Sequence, residues 1–122
     1  GKDTITLGAG NDTVVLLTTA ESGILVSNVD TITDFATVAN SALNGDIINL
    51  SAIDANTVVA GDGNQTFTFI GTAAFTAAGQ IRYEQIGLDT IVQGNVNAGL
   101  GADFSIQLTG VTSALGAADF VL

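Results

Sequence analysis

Large apolar residues in this chain occur in short runs, which polar and glycine-containing segments separate. Residues 13–17 consist of Thr13 and an aliphatic run, while residues 66–70 and 104–108 carry apolar and polar side chains at alternate positions. A period of two is typical of strands that bury one face and expose the other. These segments are therefore predicted to be strands.

The remaining apolar runs also favour extended structure. Residues 80–85 and 90–93 are predicted to pair as a hairpin across residues 86–89. Residues 24–35 are predicted to be extended, and residues 46–51 to form a strand that runs into a turn. No long amphipathic helix is predicted, although residues 72–78 and 114–119 have room for one or two helical turns. The chain is predicted to be all-β.

The first fifteen residues repeat with a period of nine. Each unit has a glycine, an aspartate two positions later and an aliphatic residue two positions after that: Gly1, Asp3 and Ile5, then Gly10, Asp12 and Val14. Glycine permits turn conformations that are closed to residues with a Cβ. Stacked turns of this kind would hold calcium between successive carboxylates and turn carbonyls, with the aliphatic residues inside. An ordinary hairpin with a Gly-Asn-Asp turn also accounts for two repeats.

Two later segments, residues 30–32 and 46–48, keep an aspartate followed by isoleucine and resemble degenerate copies of this unit. Solenoids of stacked turns usually need three or more repeats. The chain is therefore expected to hold the last turns of a longer roll.

The charge balance narrows the possible partners. The chain has 12 acidic residues against only Lys2 and Arg82, so its net charge is -10. Phosphate contacts need clustered basic residues, which excludes nucleic acid and anionic membrane surfaces as partners. The acidic residues either serve solubility alone or supply oxygen ligands to a hard cation such as calcium.

Missing residue types exclude several kinds of chemistry. The chain contains no Cys and no His, so disulfides, common zinc sites and Ser-His or Cys-His catalytic pairs are excluded. No apolar run is long enough to span a bilayer, so membrane insertion is not expected. A glycosidase pair such as Glu84 and Asp89 is conceivable, but sugar clefts are usually rich in Trp and Tyr, and the chain has no Trp and one Tyr. No catalytic residue is predicted, and Arg82 with Glu84 is interpreted as a surface ion pair.

The nine-residue repeat resembles the RTX (repeats-in-toxin) calcium β-roll. Residues 30–122 closely resemble the C-terminal domain of serralysin-type secreted metallopeptidases, through segments 30–35, 46–51, 67–71, 81–85 and 102–110. The resemblance implies a truncated parallel β-roll merging into a β-sandwich. The end of the roll would occupy residues 1–50, and the sandwich with the export-signal region residues 51–122, as one continuous domain.

The resemblance also implies which residues bind Ca²⁺. The positions that match the roll's calcium-binding positions are Asp3, Gly8, Gly10 and Asp12. The positions that match the acids where the roll closes onto the sandwich are Asp30, Asp34 and Asp46. Asp30 and Asp34 have an alternative as solvated loop charges. The family's Asp-x-Asn-x-Asp-Gly loop reads Asn-Val-Asn-Ala-Gly-Leu at residues 95–100; both acids are missing, so calcium is not expected there.

The function implied by the resemblance is that of a secreted, extracellular module. Export would use a type I secretion apparatus that recognises an uncleaved C-terminal signal, which residues 119–122 resemble; a frayed terminal strand is the alternative. The parent protein would carry its own domain N-terminal to this chain. A zinc metallopeptidase is the first expectation for the parent, and an extracellular adhesin or surface-layer protein is the alternative. The chain is expected to stay loose until it meets calcium outside the cell, with the calcium dependence concentrated in residues 1–46.

Overall fold

The computed structural model describes residues 1–41 and 45–122. The strands are β1 (Thr4–Ile5), β2 (Thr13–Val15), β3 (Asp30–Ile32), β4 (Ile47–Asn49), β5 (Thr68–Phe69), β6 (Gln80–Ile86), β7 (Asp89–Asn95), β8 (Phe104–Leu108) and β9 (Phe120–Val121). A short 3₁₀ helix, Ala117–Asp119, precedes β9. Within the described residues no helix is long and apolar enough to cross a membrane. The prediction of an all-β chain is confirmed.

The strands form two sheets, and the first four strands belong to them in alternation. One sheet has the order β1-β3-β8-β7-β6-β5, and the other has the order β2-β4-β9. Strands β1, β3 and β8 run parallel in the first sheet, and β2, β4 and β9 run parallel in the second. The chain therefore coils through three stacked layers: a first layer of β1 and β2, a second of β3 and β4, and a third of β8 and β9.

The register of the first two layers follows the nine-residue repeat. Ile5 pairs with Ile32 in one sheet, and Val14 pairs with Ile48 in the other. The segments that resembled degenerate copies of the repeat thus lie directly beside the originals. Because β1 and β2 belong to different sheets, the alternative of an ordinary hairpin is wrong.

Between the second and third layers the chain adds the predicted hairpin. Strands β6 and β7 are antiparallel, with Tyr83 opposite Val92, and Gly87 has a φ of 62° in the tight turn between them. A positive φ at this turn favours glycine. Strand β7 then pairs antiparallel with β8. The parallel roll thus merges into a β-sandwich, as predicted.

The core fills the space between the two sheets. Strand alternation turns Ile32 and Leu108 inward from the first sheet and Ile48 and Phe120 inward from the second, where all four side chains are buried in one apolar cluster. The ring of Phe69 lies 5.3 Å from that of Phe120, between centroids, and joins the added strands to the third layer. The same core therefore supports both the roll and the sandwich.

Two local predictions were wrong. Residues 24–35 are extended only at β3, because Asn28 closes a turn before it: Gly23 N donates to Asn28 O at 2.8 Å, and Leu25 N donates to Asn28 Oδ1 at 2.9 Å. A side-chain acceptor of this kind competes with strand pairing for the backbone amides. Residues 72–78 contain no helical turn; the backbone carbonyls of Thr72 and Ala73 instead accept hydrogen bonds from Arg82.

Candidate metal site

Six of the seven predicted calcium residues meet in pairs where the first layer of the roll stacks on the second. In each pair a backbone amide of the first layer donates to a carboxylate of the second. The pairs are Asp3 N to Asp30 Oδ1 at 2.8 Å, Gly8 N to Asp34 Oδ2 at 2.8 Å, and Asp12 N to Asp46 Oδ1 at 3.0 Å. Carboxylates that accept backbone amides satisfy donors that the turns leave unpaired.

Asp30 is buried in β3, so it is not the solvated loop charge considered as an alternative. Its backbone amide donates to Ser22 Oγ at 2.8 Å, and the Ser22 hydroxyl in turn donates to the backbone carbonyl of Ser105 in β8. Ser22 is completely buried. This link between the second and third layers was missed by the sequence analysis, because an isolated serine carries no pattern.

Asp34 lies on the surface, but its carboxylate has specific partners. Oδ1 accepts a hydrogen bond from Leu7 N and Oδ2 accepts one from Gly8 N, both at 2.8 Å. These two bonds favour the ionised form and lower the pKa of the Asp34 carboxyl below its ordinary value, while desolvation opposes them weakly. Gly8 has a φ of 92°, a conformation that other residues rarely adopt.

Asp46 is almost completely buried at the corner where the second layer turns into β4. Besides Asp12 N, it accepts a hydrogen bond from Ala36 N, which lies 2.8 Å from Oδ2. Each carboxylate oxygen has two lone-pair sites, so these amides leave acceptor capacity for a cation.

Asp12 has a buried carboxylate oxygen without a hydrogen-bond partner among the described residues. Its Oδ2 atom is buried and accepts no hydrogen bond; in the described part of the chain only Gln65 Oε1 shares this condition. A buried carboxylate oxygen without a donor is costly. A hard cation would remove that cost, because calcium prefers carboxylate and carbonyl oxygens. The residues present therefore fit calcium at Asp12.

The described residues do not form a complete acidic cage. Across residues 1–41 and 45–122, no three acidic side chains are grouped closely enough to hold a metal by themselves. A cation beside Asp12 would complete its shell with backbone carbonyls or water, as calcium commonly does. Gly10, the seventh predicted residue, has a φ of 131° in the turn before Asp12, and this backbone conformation favours glycine although an added Cβ would meet nothing within 4 Å.

Asp119 repeats the role of Asp46 one layer further along the roll. It is buried, and it accepts hydrogen bonds from Val38 N on Oδ1 at 2.7 Å and from Gly116 N on Oδ2 at 2.8 Å. The strand after it pairs with β4, so the alternative of a frayed terminal strand is wrong. An aspartate immediately before an apolar pair, as at Asp46, was the signal for this role.

The surface ion pair predicted between Arg82 and Glu84 is confirmed, with Arg82 Nη1 3.7 Å from Glu84 Oε2. Arg82 also donates from Nη1 to Gln93 Oε1 across the hairpin. Its guanidinium carbon lies 5.9 Å from the centre of the Phe75 ring. These contacts give Arg82 a structural role in the hairpin.

Comparisons with known proteins agree with this architecture. No curated protein sequence matches the chain. The fold is similar to the solution structure of the AlgE6R3 subunit from the Azotobacter vinelandii mannuronan C5-epimerase, with a TM-score of 0.55 and 23% identity over 99% of this chain and 58% of that one. A family model described as the C terminus of serralysin, peptidase M10, matches residues 1–122. The chain therefore belongs to the peptidase M10 serralysin C-terminal family.

Proposed function

We propose that this chain is a non-catalytic, calcium-binding module of a secreted bacterial protein, which folds fully when it meets calcium outside the cell. The observation that carries the proposal is the buried, unpartnered Oδ2 of Asp12. Asp12 belongs to a sequence repeat, and its backbone amide donates to the carboxylate of Asp46 where the first two layers meet. A cation there would neutralise part of this negative charge and join the layers.

The expected effect of one calcium site is an appreciable fraction of the stability of a small domain. Calcium sites in extracellular modules have dissociation constants of roughly 0.1–1 mM. At a calcium concentration ten times the dissociation constant, one site stabilises the folded state by about 1.4 kcal/mol. Small domains are stable by only about 5–15 kcal/mol. In a cytosol poor in calcium this contribution is nearly absent, which favours the loose chain that export requires.

The burial of C-terminal residues is an argument that export precedes folding. Residues 119–122 resemble a type I secretion signal, yet Asp119 and Phe120 are buried in the folded chain. A secretion apparatus that recognises these side chains must therefore bind them before β9 pairs with β4. We propose that calcium outside the cell then drives this pairing and keeps the exported chain folded.

The exposed first layer of the roll is an argument that this module belongs to a larger parent protein. Strands β1 and β2 are the edges of their sheets, and the first layer lines an open pocket of about 330 Å³ in which Ile5, Val14 and Leu16 lie beside the acidic residues Asp3, Glu21 and Asp30. Edge strands with an apolar interior are ready to pair with a further layer. We propose that another part of the parent covers this end. Family membership favours a serralysin-like zinc metallopeptidase as the parent, rather than an adhesin or a surface-layer protein.

Thermal melts of the chain test the calcium proposal. The melting temperature should rise as calcium is added to chelated protein, and magnesium at equal concentration should have a much smaller effect. Asp12→Asn should remove most of the rise. Asp62→Asn is the matched control, because it removes one negative charge from an exposed turn and should leave the calcium response intact. Equal melting temperatures in chelator and in calcium would contradict the proposal.

A secretion assay tests the export proposal separately. A passenger fused ahead of this chain should reach the medium of a bacterium that carries a type I exporter. Replacing Asp119 and Phe120 with Ala should abolish export, whereas Asp12→Asn should leave export intact and impair only folding outside. Normal export of the double variant would contradict the proposed signal.

A further inference from the structure

The loop between β7 and β8 closes around the carboxylate of Asp103. Val96 N donates to Asp103 Oδ2 at 2.7 Å, and the side-chain amide of Asn97 donates to Asp103 Oδ1. Asp103 N donates to the carbonyl of Gly94 at 2.7 Å. Both carboxylate oxygens therefore have a nitrogen donor from the loop itself.

Two asparagine side chains complete the closure. Asn97 Oδ1 accepts a hydrogen bond from Gly99 N at 2.7 Å. Asn95, which is fully buried, accepts from Asn97 N at 3.1 Å and donates from Nδ2 to Gly99 O at 2.6 Å. The orientation of the Asn97 amide is fixed by its partners, because only Nδ2 can donate to the carboxylate and only Oδ1 can accept from Gly99.

This arrangement does not fit a calcium ion. A cation bound by Asp103 needs oxygen atoms around it. Here the Asn97 NH₂ group, which offers no lone pair, lies directly against Asp103 Oδ1. A cation would have to displace this group from the carboxylate and break its hydrogen bond to Asp103 Oδ1. The sequence departure at residues 95–100 thus has a physical counterpart in the fold.

We propose that the Asn97 amide acts in this loop as an internal substitute for a cation, so that the β7–β8 connection closes without metal. The carboxylate of Asp103 receives hydrogen-bond donors from Asn97 and Val96 where a metal site would supply positive charge. The module then has two kinds of joint. The joints between the first two layers of the roll respond to calcium, and the β7–β8 loop does not.

Amide hydrogen exchange of the complete chain tests this directly. In the wild type, calcium should slow the exchange of the Val96 and Gly99 amides no more than it slows that of the Ile106 amide. Asn97→Asp replaces the donor with a second carboxylate against Asp103, and in chelator it should speed exchange at both amides about tenfold or more. The amide of Ile106, in β8, serves as a reference for global unfolding.

Asn64→Asp is the matched control, since it also removes a side-chain amide, one that donates to the backbone carbonyl of Ser51 at 2.8 Å. It should leave exchange at Val96 and Gly99 unchanged. The proposal is overturned if calcium slows these two amides more than it slows Ile106 in the wild type, or if Asn97→Asp leaves their exchange unchanged relative to Ile106. This experiment measures exchange at Val96 and Gly99, whereas the calcium proposal is tested at Asp12. Each proposal can therefore fail while the other holds.

Discussion

The carboxylate of Asp46 accepts the backbone amide of Asp12 at 3.0 Å and thereby fastens the second layer of the roll to the first. Its other oxygen accepts the amide of Ala36 at 2.8 Å. Asp119 makes the same kind of double contact between the amides of Val38 and Gly116. A buried aspartate thus lies immediately before a strand and accepts amides from the neighbouring turns at two successive layer contacts.

Asp46→Ala should destabilise the chain strongly, even in chelator. It leaves the amides of Asp12 and Ala36 without an acceptor, and each unsatisfied buried donor costs about 1–3 kcal/mol. Urea denaturation should therefore show a loss of about 3 kcal/mol in the free energy of unfolding. Asp46→Asn keeps one acceptor oxygen and should lose less. A loss below about 0.5 kcal/mol for the alanine variant, the range of an ordinary surface substitution, would show that these bonds do not hold the layers together.

Asp34 should titrate at unusually low pH. Hydrogen bonds from Leu7 and Gly8 lower its pKa below the ordinary value of 3.8 in the folded chain. Its contribution to stability is therefore fully present above about pH 3.8 and is lost as the pH falls through the lower, folded value. The carboxyl carbon shift of Asp34 should report this midpoint, and the Gly8 amide should move with it. A midpoint at or above 3.8 would refute the assignment.

Gly94→Ala should disturb the core beneath the hairpin. An added Cβ would lie 2.2 Å from Phe104 Cε1 and 2.9 Å from Ile81 Cδ1, so both side chains would have to move. Overpacking of this kind costs about 1–3 kcal/mol. Gly116→Ala is the control, because its Cβ meets nothing within 4 Å. Urea denaturation should show a lower free energy of unfolding for Gly94→Ala than for Gly116→Ala. Equal stabilities would show that the core around Gly94 can accommodate a methyl group.

Phe120→Ala should show that the last strand is part of the core. Phe120 is 7% exposed and packs against Phe69, while its neighbour Val121 is 44% exposed. Removing a buried phenylalanine side chain costs about 3–5 kcal/mol. Val121→Ala should cost far less. Thermal melts in saturating calcium compare the two, and similar losses would mean that β9 does not pack as described.

Local patterns in the sequence predicted much of this fold. The alternation at residues 104–108 gave β8 its observed bounds, and the hairpin strands were predicted in the right positions but too short. The repeat also predicted which segments would stack, because each copy kept its aspartate and its aliphatic residue. Such signals are local, so they can be recognised in the sequence without knowing which strand is the partner.

The remaining features depend on distant contacts. Nothing near Phe120 indicates that its strand pairs in parallel with β4, since parallel partners are joined by long connections that leave no turn signal. The roles of Ser22 and Asp119 likewise depend on backbone groups far away in the sequence. At the candidate site the sequence supplied the residues, but only the structure shows that Asp34 and Asp46 hold amides and that one oxygen of Asp12 is unsatisfied.

The most direct test of the account is a calcium titration followed at the side-chain carboxyl carbon of Asp12 by NMR, with Asp62 as the internal control. We predict that the Asp12 signal shifts and saturates with a dissociation constant of roughly 0.1–1 mM, while the Asp62 signal scarcely moves. A signal from Asp12 that moves no more than that of Asp62 would contradict the claim that calcium binds at the joint between the first two layers.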